Sequence, residues 1–378
     1  MRKMKLIALK DVCKINMGQS PNSSSYNDYG DGMPFFQGNA DFGERYPITR
    51  VWCNTPTKIA QAEDILISVR APIGALNYAK EECCIGRGLA AITPDRNKVS
   101  QDFIYWALKG KKAELNDKGN GSTFKAISRK ILEETMIPDI NFEQQHKCAE
   151  NLEKIYGIIQ NRRKELLALD DLIKARFVEM FGDPVSNPKG WDMVELGELT
   201  GIGSSKRIFE KEYVSEGIPF YRTKEIVELS KGNSISTELY ITEERFAEIK
   251  EQYGVPKAGD LLISAVGTIG IIWIVDGKND FYFKDGNLIR VDSSDKFDSV
   301  YMKNLLENLI VEYKKQMSSG TAYAALTISG LTKMKVYDVP MELQNQFADF
   351  VRQVDKSKLM FQKLHQKLNI LQKKAGDI

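Results

Sequence analysis

Histidine is almost missing from this chain, with only His146 and His365 among 378 residues. Cysteine is scarce as well. Cys13, Cys53, Cys83, Cys84 and Cys148 contain no CxxC pair and no spacing suited to a metal, and an odd count with two adjacent members makes no disulfide framework. They read as reduced structural thiols, and both histidines fall in predicted helices, so metal chemistry has no ligand set. No run of about 18 apolar residues exists, and the opening MRKMKLIALK turns polar at once. Neither a membrane span nor a signal peptide is expected, and the cytoplasm is the expected location. An excess of one charge is lacking too: 53 Lys and Arg against 51 Asp and Glu leave +2. Its distribution is uneven, roughly +4 over residues 1–140, roughly −5 over 183–340 and roughly +3 over 341–378. A nucleic-acid partner would have to be met by local patches instead of a global field.

What is present is a composition of 42% hydrophobic and 28% charged residues, in a chain long enough for two or more domains. An internal repeat organises it. Ile7 to Ile15 is echoed by Val194 to Ile202, and GMPFFQGNADF (32–42) by GIPFYRTKEI (217–226). AEDILISVRAPIG (62–74) matches AGDLLISAVGTIG (258–270), and GSTFKAIS (121–128) corresponds to GTAYAALTIS (320–329). Each unit then reaches a proline, Pro138 or Pro340, and a long helical segment. FVEMFGDP (177–184) is the seam between copies: Gly182 can take the left-handed conformation that ends a helix, and Pro184 and Pro188 cannot continue one.

Within each copy, apolar runs at Ile65–Val69, Leu261–Ala265, Ile269–Val275 and Phe281–Phe283 alternate with Gly, Asn and Asp turns, a strand pattern. Short helices are predicted at Ser100–Leu115 and Asp298–Gln316. The fold class is therefore mixed α/β modules of about 140 to 150 residues. The later segments change period. Ile155, Ile159, Leu166, Leu169, Ile173 and Met180 keep three- and four-residue steps broken by Arg162 and Arg176; Phe347, Phe350, Val354, Phe361, Leu364, Leu368 and Leu371 do the same around Ser357. Two such stripes pack most simply on each other. An antiparallel pair is expected, because a parallel one would force the second module to reach back about 60 Å, the length of a forty-residue helix. The expected architecture is a pseudo-twofold dumbbell: modules at 1–140 and 183–340, spacer helices at 141–182 and 341–378. Two unequal heads on a fixed spacer suit two separated marks on a rigid object, and duplex DNA presents half-sites about 35 Å apart.

With PFFQGNADF and PFYRTKEI, ILIS…PIG and LLIS…GTIG, and above all the helix ending FVEMFGDP, the chain resembles the specificity subunit of type I restriction-modification enzymes over nearly its full length. The resemblance implies two target-recognition domains on double-stranded DNA. It also implies assembly with two methyltransferase subunits that bind S-adenosylmethionine, and optional motor-nuclease (restriction) subunits that use ATP and Mg. It implies no cofactor and no catalysis in this chain.

The residues agree about catalysis. No GxxxxGK[ST] is present to cradle a triphosphate, and no Asn- or Asp-Pro-Pro-aromatic run of the kind that holds a target base. PDRNK (94–98) lacks a spaced second acid and reads as a surface turn; GIGSSKR (201–207) reads as a DNA-facing loop. Candidate DNA contacts follow from side-chain chemistry beside predicted loops. In the first module they are Gln19, Ser20, Gln37, Asn39, Arg45, Arg70, Lys125 and Arg129. In the second they are Ser204, Ser205, Lys206, Arg207, Arg222, Thr223, Lys224, Thr268 and Tyr323. The matched loops Gln37-Gly38-Asn39 and Arg222-Thr223-Lys224 stand out, since both put long polar donors directly after an apolar strand. Arg162, Arg163, Lys164, Asp170 and Asp171 read as a solvated helix face. The competing function is a coiled-coil interaction protein with protein- or carbohydrate-binding heads, kept open by the modest net charge and the acidic second module.

Overall fold

The computed structural model describes residues 5–120, 125–318 and 325–376, with side chains described except at 316–318 and 360–376. The chain divides into two compact units, residues 1–163 with 364–378, and residues 164–363. The boundary between them therefore falls inside each of the two long helices, after residue 163 in one and after residue 363 in the other.

In the first unit the apolar run Ile65–Ser68 is buried throughout, at the centre of an antiparallel sheet ordered Cys13–Met17, Leu89–Pro94, Ile65–Ser68, Leu76–Tyr78. A strand enclosed on both faces has no solvent side to fill, which is why ILIS lacks polar alternation. Leu6–Ala8 pairs with Met136–Pro138, joining the start of the module to its end. A second layer of short strands holds one parallel pair, Met33–Phe36 beside Cys83–Ile85.

The second unit repeats this plan. Its sheet runs Ile202–Gly203, Leu288–Val291, Leu261–Ser264, Ile272–Ile274; Met193–Glu195 pairs with Lys335–Tyr337; and Ile218–Tyr221 lies parallel to Tyr282–Phe283. Small details repeat as well. Ser68 Oγ donates to Pro72 O and accepts from Ala75 N, while Ser264 Oγ donates to Thr268 O and accepts from Ile271 N. The units differ after the first parallel strand. Where the first has the short 3-10 turn Asn39–Asp41, the second has the helix Thr223–Ser230, followed by Glu243–Gln252.

The helices expected at Ser100–Leu115 and Asp298–Gln316 are Gln101–Gly110 with Lys112–Asp117, and Ser299–Ser318. Each long helix is seated by a buried glutamine in its first turn. Gln145 Oε1 accepts from Ser100 N (2.7 Å) and its Nε2 donates to Ile140 O (2.8 Å). Gln344 does the same with Asp298 N (2.9 Å) and Val339 O (2.7 Å).

The first long helix is Phe142–Phe181, forty residues, and the second Met341–Gly376. Within the second unit they pack antiparallel: Phe177 and Phe181 meet Phe347, while Asp170 reaches Lys358 at 2.5 Å. The seam departs from the expected stripe. It runs Leu169, Ile173, Phe177, Phe181 against Leu343, Phe347, Val351, Val354. The four-residue step from Ile173 to Phe177 carries it past Arg176, whose guanidinium lies beside the Phe350 ring. In the first unit Ala149 and Leu152 are buried against the module core, with Tyr156 beside them. The stripe residues Phe361, Leu364, Leu368 and Leu371 lie outside the described side chains.

At FVEMFGDP, Gly182 has φ +83, and an added Cβ would meet the Pro188 ring at 2.8 Å. The last helical carbonyls find partners beyond the turn: Trp191 Nε1 donates to Phe181 O, and Lys189 Nζ to Glu179 O and Met180 O. Asp183 Oδ1 accepts from Val185 N and Ser186 N, and Tyr337 OH donates to Asp183 O. The seam is thus tied to the module it opens. The bonds from Ser186 and Val185 to its side chain hold the Asp183 carboxyl below the usual carboxylate range.

Candidate nucleic-acid interface

Strand register gathers the candidates. In the first sheet Met17 faces Ala90 and Ser68 faces Leu89, so three segments emerge at the same end: 18–20 after one strand, 86–88 before the next, and 69–74 after the third. The parallel pair adds 37–39, because Phe36 lies beside Ile85. Backbone bonds close the set: Gly18 N to Leu89 O, Gln19 N to Ile85 O, Gly86 N to Phe36 O, Gly88 N to Gln37 O, Val69 N to Gly88 O and Ala71 N to Lys125 O. The loops approach so closely that a Cβ on Gly18 would lie 2.2 Å from Gly86 O, and one on Gly88 2.4 Å from Gln37 O. Ser20 Oγ exchanges hydrogen bonds with the Gln37 amide (2.9 and 3.0 Å) and accepts from Arg87 N.

Gln19, Ser20, Gln37, Asn39, Arg70 and Lys125 therefore stand together at one sheet end, with Gln19, Gln37, Arg70 and Lys125 exposed. Arg129 lies just beyond, at the exposed start of the helix Arg129–Glu133, and pairs with Glu133 at 2.7 Å. Arg45 does not join them. Arg45 O accepts from Tyr78 N, and Tyr78 faces Ile65 at the opposite end of the sheet. There its guanidinium lies over the Tyr78 ring and pairs with Glu153 on the long helix at 2.6 Å. Beside it Lys109 Nζ sits 3.7 Å from the Tyr156 ring centroid and 4.6 Å from that of Trp106, and burial lowers its pKa to about 8.

The second module assembles the same end from 203–207, 222–224, 265–270 and 284–287. Lys284 N donates to Tyr221 O as Gly86 N does to Phe36 O, and Ala265 N donates to Asn287 O as Val69 N does to Gly88 O. Ser204 Oγ lies 3.4 Å from both Leu288 O and Gly286 N, Lys206 N donates to Tyr282 OH, and Ser205 Oγ is buried without a partner among the described residues. Thr268 is exposed at the hairpin turn. Thr223 and Lys224 begin a helix instead of lying in the expected loop, because Glu225 caps the turn by accepting from Arg222 N at 2.8 Å. Tyr323 lies outside the described residues.

The electrostatics of the two ends differ. In the second, Arg207 pairs with Asp285 (2.7 Å), Lys284 lies 3.6 Å from the same carboxylate, and Arg222 and Lys224 share Glu225. In the first, Arg70, Arg87 and Lys125 make no ion pair among the described residues. Arg87, Lys284 and Asn287 escaped the sequence reading. IGRGL and FKDGNL, short polar turns between apolar strands, carry the same signal that singled out Gln37. PDRNK is a turn whose Arg96 pairs with Glu63 and whose Lys98 lies 3.5 Å from Asp95. Among the described residues no group of His, Cys, Asp or Glu is placed to hold a metal, and no helix is long and apolar enough to cross a membrane.

Tandem mixed α/β modules, each followed by a long helix and each carrying a loop-built polar end, define a class of paired modules joined to long helices. The model of the type I restriction modification DNA specificity domain matches residues 1–168 and again 188–371. The chain belongs to that family. A Methanocaldococcus jannaschii chain provisionally named the MjaX type I restriction enzyme specificity subunit is 47% identical over 152 residues, 40% of this chain and 36% of the relative. The MjaIX specificity subunit of the same organism is 27% identical over 263 residues, 62% of this chain and 60% of the relative. The chain thus spans between about a third and three fifths of the length of these curated relatives. The crystal structure of a type I restriction-modification S subunit from M. genitalium superposes with a TM-score of 0.59 at 17% identity, covering 100% of this chain and 96% of that one, a likeness of fold.

Proposed function

We propose that this chain is the DNA-specificity subunit of a type I restriction-modification system. Its first module reads one half of a bipartite site in duplex DNA and its second module the other. The observation that carries the reading is the repeated convergence of four polar segments at one sheet end, in a family defined by DNA specificity. Loops held by backbone bonds to a buried sheet present donors and acceptors in fixed positions, as base-edge readout requires, while exposed Arg70, Lys125 and Lys206 supply the charge that phosphates need. The module ends differ at matched positions, Gln37 against Arg222 and Gly86 against Lys284, so the two half-sites differ.

The chain performs no chemistry itself. Methyl transfer belongs to two partner subunits that carry S-adenosylmethionine, and any cleavage to motor-nuclease subunits using ATP and Mg; the long helices set the unspecified gap and give the partners a seat. Mapping methylated adenines in a host with and without this gene tests the assignment. Four residues duplicated after Arg163 lengthen the first long helix by about 6 Å, since each adds about 1.5 Å. The gap is then expected to grow by about two base pairs of about 3.4 Å each. An unchanged gap with retained activity would count against the ruler, and methylation independent of the gene against the whole reading.

A further inference from the structure

We propose that Arg222 reads a guanine in the second module's half-site, and that the buried carboxylate of Glu225 is the positioning residue that aims it. The inference rests on the DNA-recognition reading above and adds to it a base and an aiming device.

The Glu225 side chain is 1% exposed yet lies next to an open cavity of about 390 Å³ whose lining includes Glu210, Tyr213, Arg222, Lys224, Lys284 and Asn287. Oε2 accepts from the Arg222 backbone N–H at 2.8 Å and faces Nε at 3.5 Å; Oε1 accepts from Nη2 at 3.0 Å. The guanidinium is therefore held along its Nε/Nη2 edge. Its outer end, both Nη1 hydrogens and the second Nη2 hydrogen, makes no hydrogen bond among the described residues. That end is the planar fork that fits guanine O6 and N7 together. Holding the fork in advance also removes rotamer freedom that DNA binding would otherwise have to freeze.

The first module shows that the aiming is not a by-product of the cap. There Asp41 Oδ2 accepts from Gln37 N at 2.7 Å, the same backbone service, but the Gln37 side chain turns away to Ser20. Only in the second module does the capping carboxylate also grip the reading side chain. Its charge separates base from phosphate. A guanidinium already paired with a carboxylate keeps its directional N–H groups but loses much of its own charge, and although Lys224 also lies 3.6 Å from Glu225, a phosphate on the fork would meet that carboxylate's repulsion at close range. A neutral base edge with two acceptors meets no such penalty.

The test uses the complex of this chain with its methyltransferase subunits, with the methylation rate measured on duplexes carrying every single base-pair change in both half-sites. Arg222→Ala, Arg222→Lys and Glu225→Gln are each expected to lose about ten- to a hundredfold of discrimination at one shared G·C pair of the second half-site. Discrimination at the first half-site stays as in the parent. A uniform loss across all duplexes with Arg222→Ala marks a phosphate contact and overturns the guanine assignment. Relaxation with Arg222→Ala but none with Glu225→Gln overturns the positioning role. Should Glu225→Gln fail to fold, Arg222→Lys decides for the fork, since it keeps the charge beside Glu225 and removes only the planar donor pair. If the parent complex shows no bipartite preference at all, the DNA-specificity reading itself falls, an outcome distinct from the other two.

Discussion

Replacing Gln344 with Met tests the seat of the second long helix, and replacing Gln145 with Met tests its counterpart. Gln344 is 2% exposed and ties Asp298 N, at the start of the helix Ser299–Ser318, to Val339 O, before the long helix begins. Methionine fills nearly the same volume, so packing changes little, but one N–H and one C=O lose their partners. Each orphaned buried group costs about 1–3 kcal/mol, and the buried amide that no longer needs desolvating offsets part of it. A net loss of about 3 kcal/mol is expected in the second unit. With a urea slope of about 2 kcal/mol per molar, the midpoint falls by roughly 1.5 M. The chain's four tryptophans divide usefully: Trp52 and Trp106 lie in the first unit, Trp191 and Trp273 in the second. With one pair changed to Phe, fluorescence follows one unit at a time. Gln344→Met should move the Trp191/Trp273 transition and Gln145→Met the Trp52/Trp106 transition. A shift under about 0.5 kcal/mol in both would refute the idea that these glutamines seat the helices.

Gly88→Ala puts a Cβ 2.4 Å from Gln37 O and forces the loops at the first module's sheet end apart; methylation assays should show relaxed recognition at the first half-site only. Asp285→Asn frees Arg207 and Lys284 from their shared carboxylate. Anisotropy titrations should then show tighter DNA binding, with a salt dependence steeper by about one counterion, and weaker binding would contradict the screening argument. Lys109 should titrate near pH 8 in the folded chain, because burial outweighs Glu153 and lowers its pKa. The unfolded chain keeps that proton up to about 10.5, so this group's contribution makes stability rise between pH 8 and 10.5. Lys109→Met should flatten the rise in pH-dependent melting, and an equally steep rise would assign it elsewhere.

The repeat was legible because its most deeply buried strands have to keep their residues. Ile65–Ser68 and Leu261–Ser264 are enclosed on all sides, so ILIS and LLIS survive where surface residues diverge. Gly182 and the prolines after it marked the seam because a positive φ and a missing N–H act locally. The helix seam was harder to read. Periodicity alone could not tell Arg176 from Phe177 as the next core position, since the choice depends on where Phe347 and Tyr301 stand. The place of Arg45 was hidden for a similar reason. Loop chemistry showed a long cation, but only the pairing of Ile65 with Tyr78 puts it at the end of the sheet beside Glu153.

The acidic balance of the second module, which in the sequence argued against DNA, takes on a different meaning once partners are visible. Asp285 and Glu225 do not form a repelling surface: Asp285 is 12% exposed, Glu225 1%, and both lie beneath the arginines and lysines of the loop end. A carboxylate under a guanidinium lowers the field reaching solvent, which weakens attraction to any polyanion, but it fixes where the N–H groups point. A module built this way gives up non-specific affinity for direction. The first module, with Arg70, Arg87 and Lys125 outside any ion pair among the described residues, keeps the field. On the DNA-recognition reading, most of the sequence-independent hold on DNA is expected to come from the first module. Substituting its exposed cations should therefore flatten the salt dependence of binding more than substituting Arg207 or Lys284.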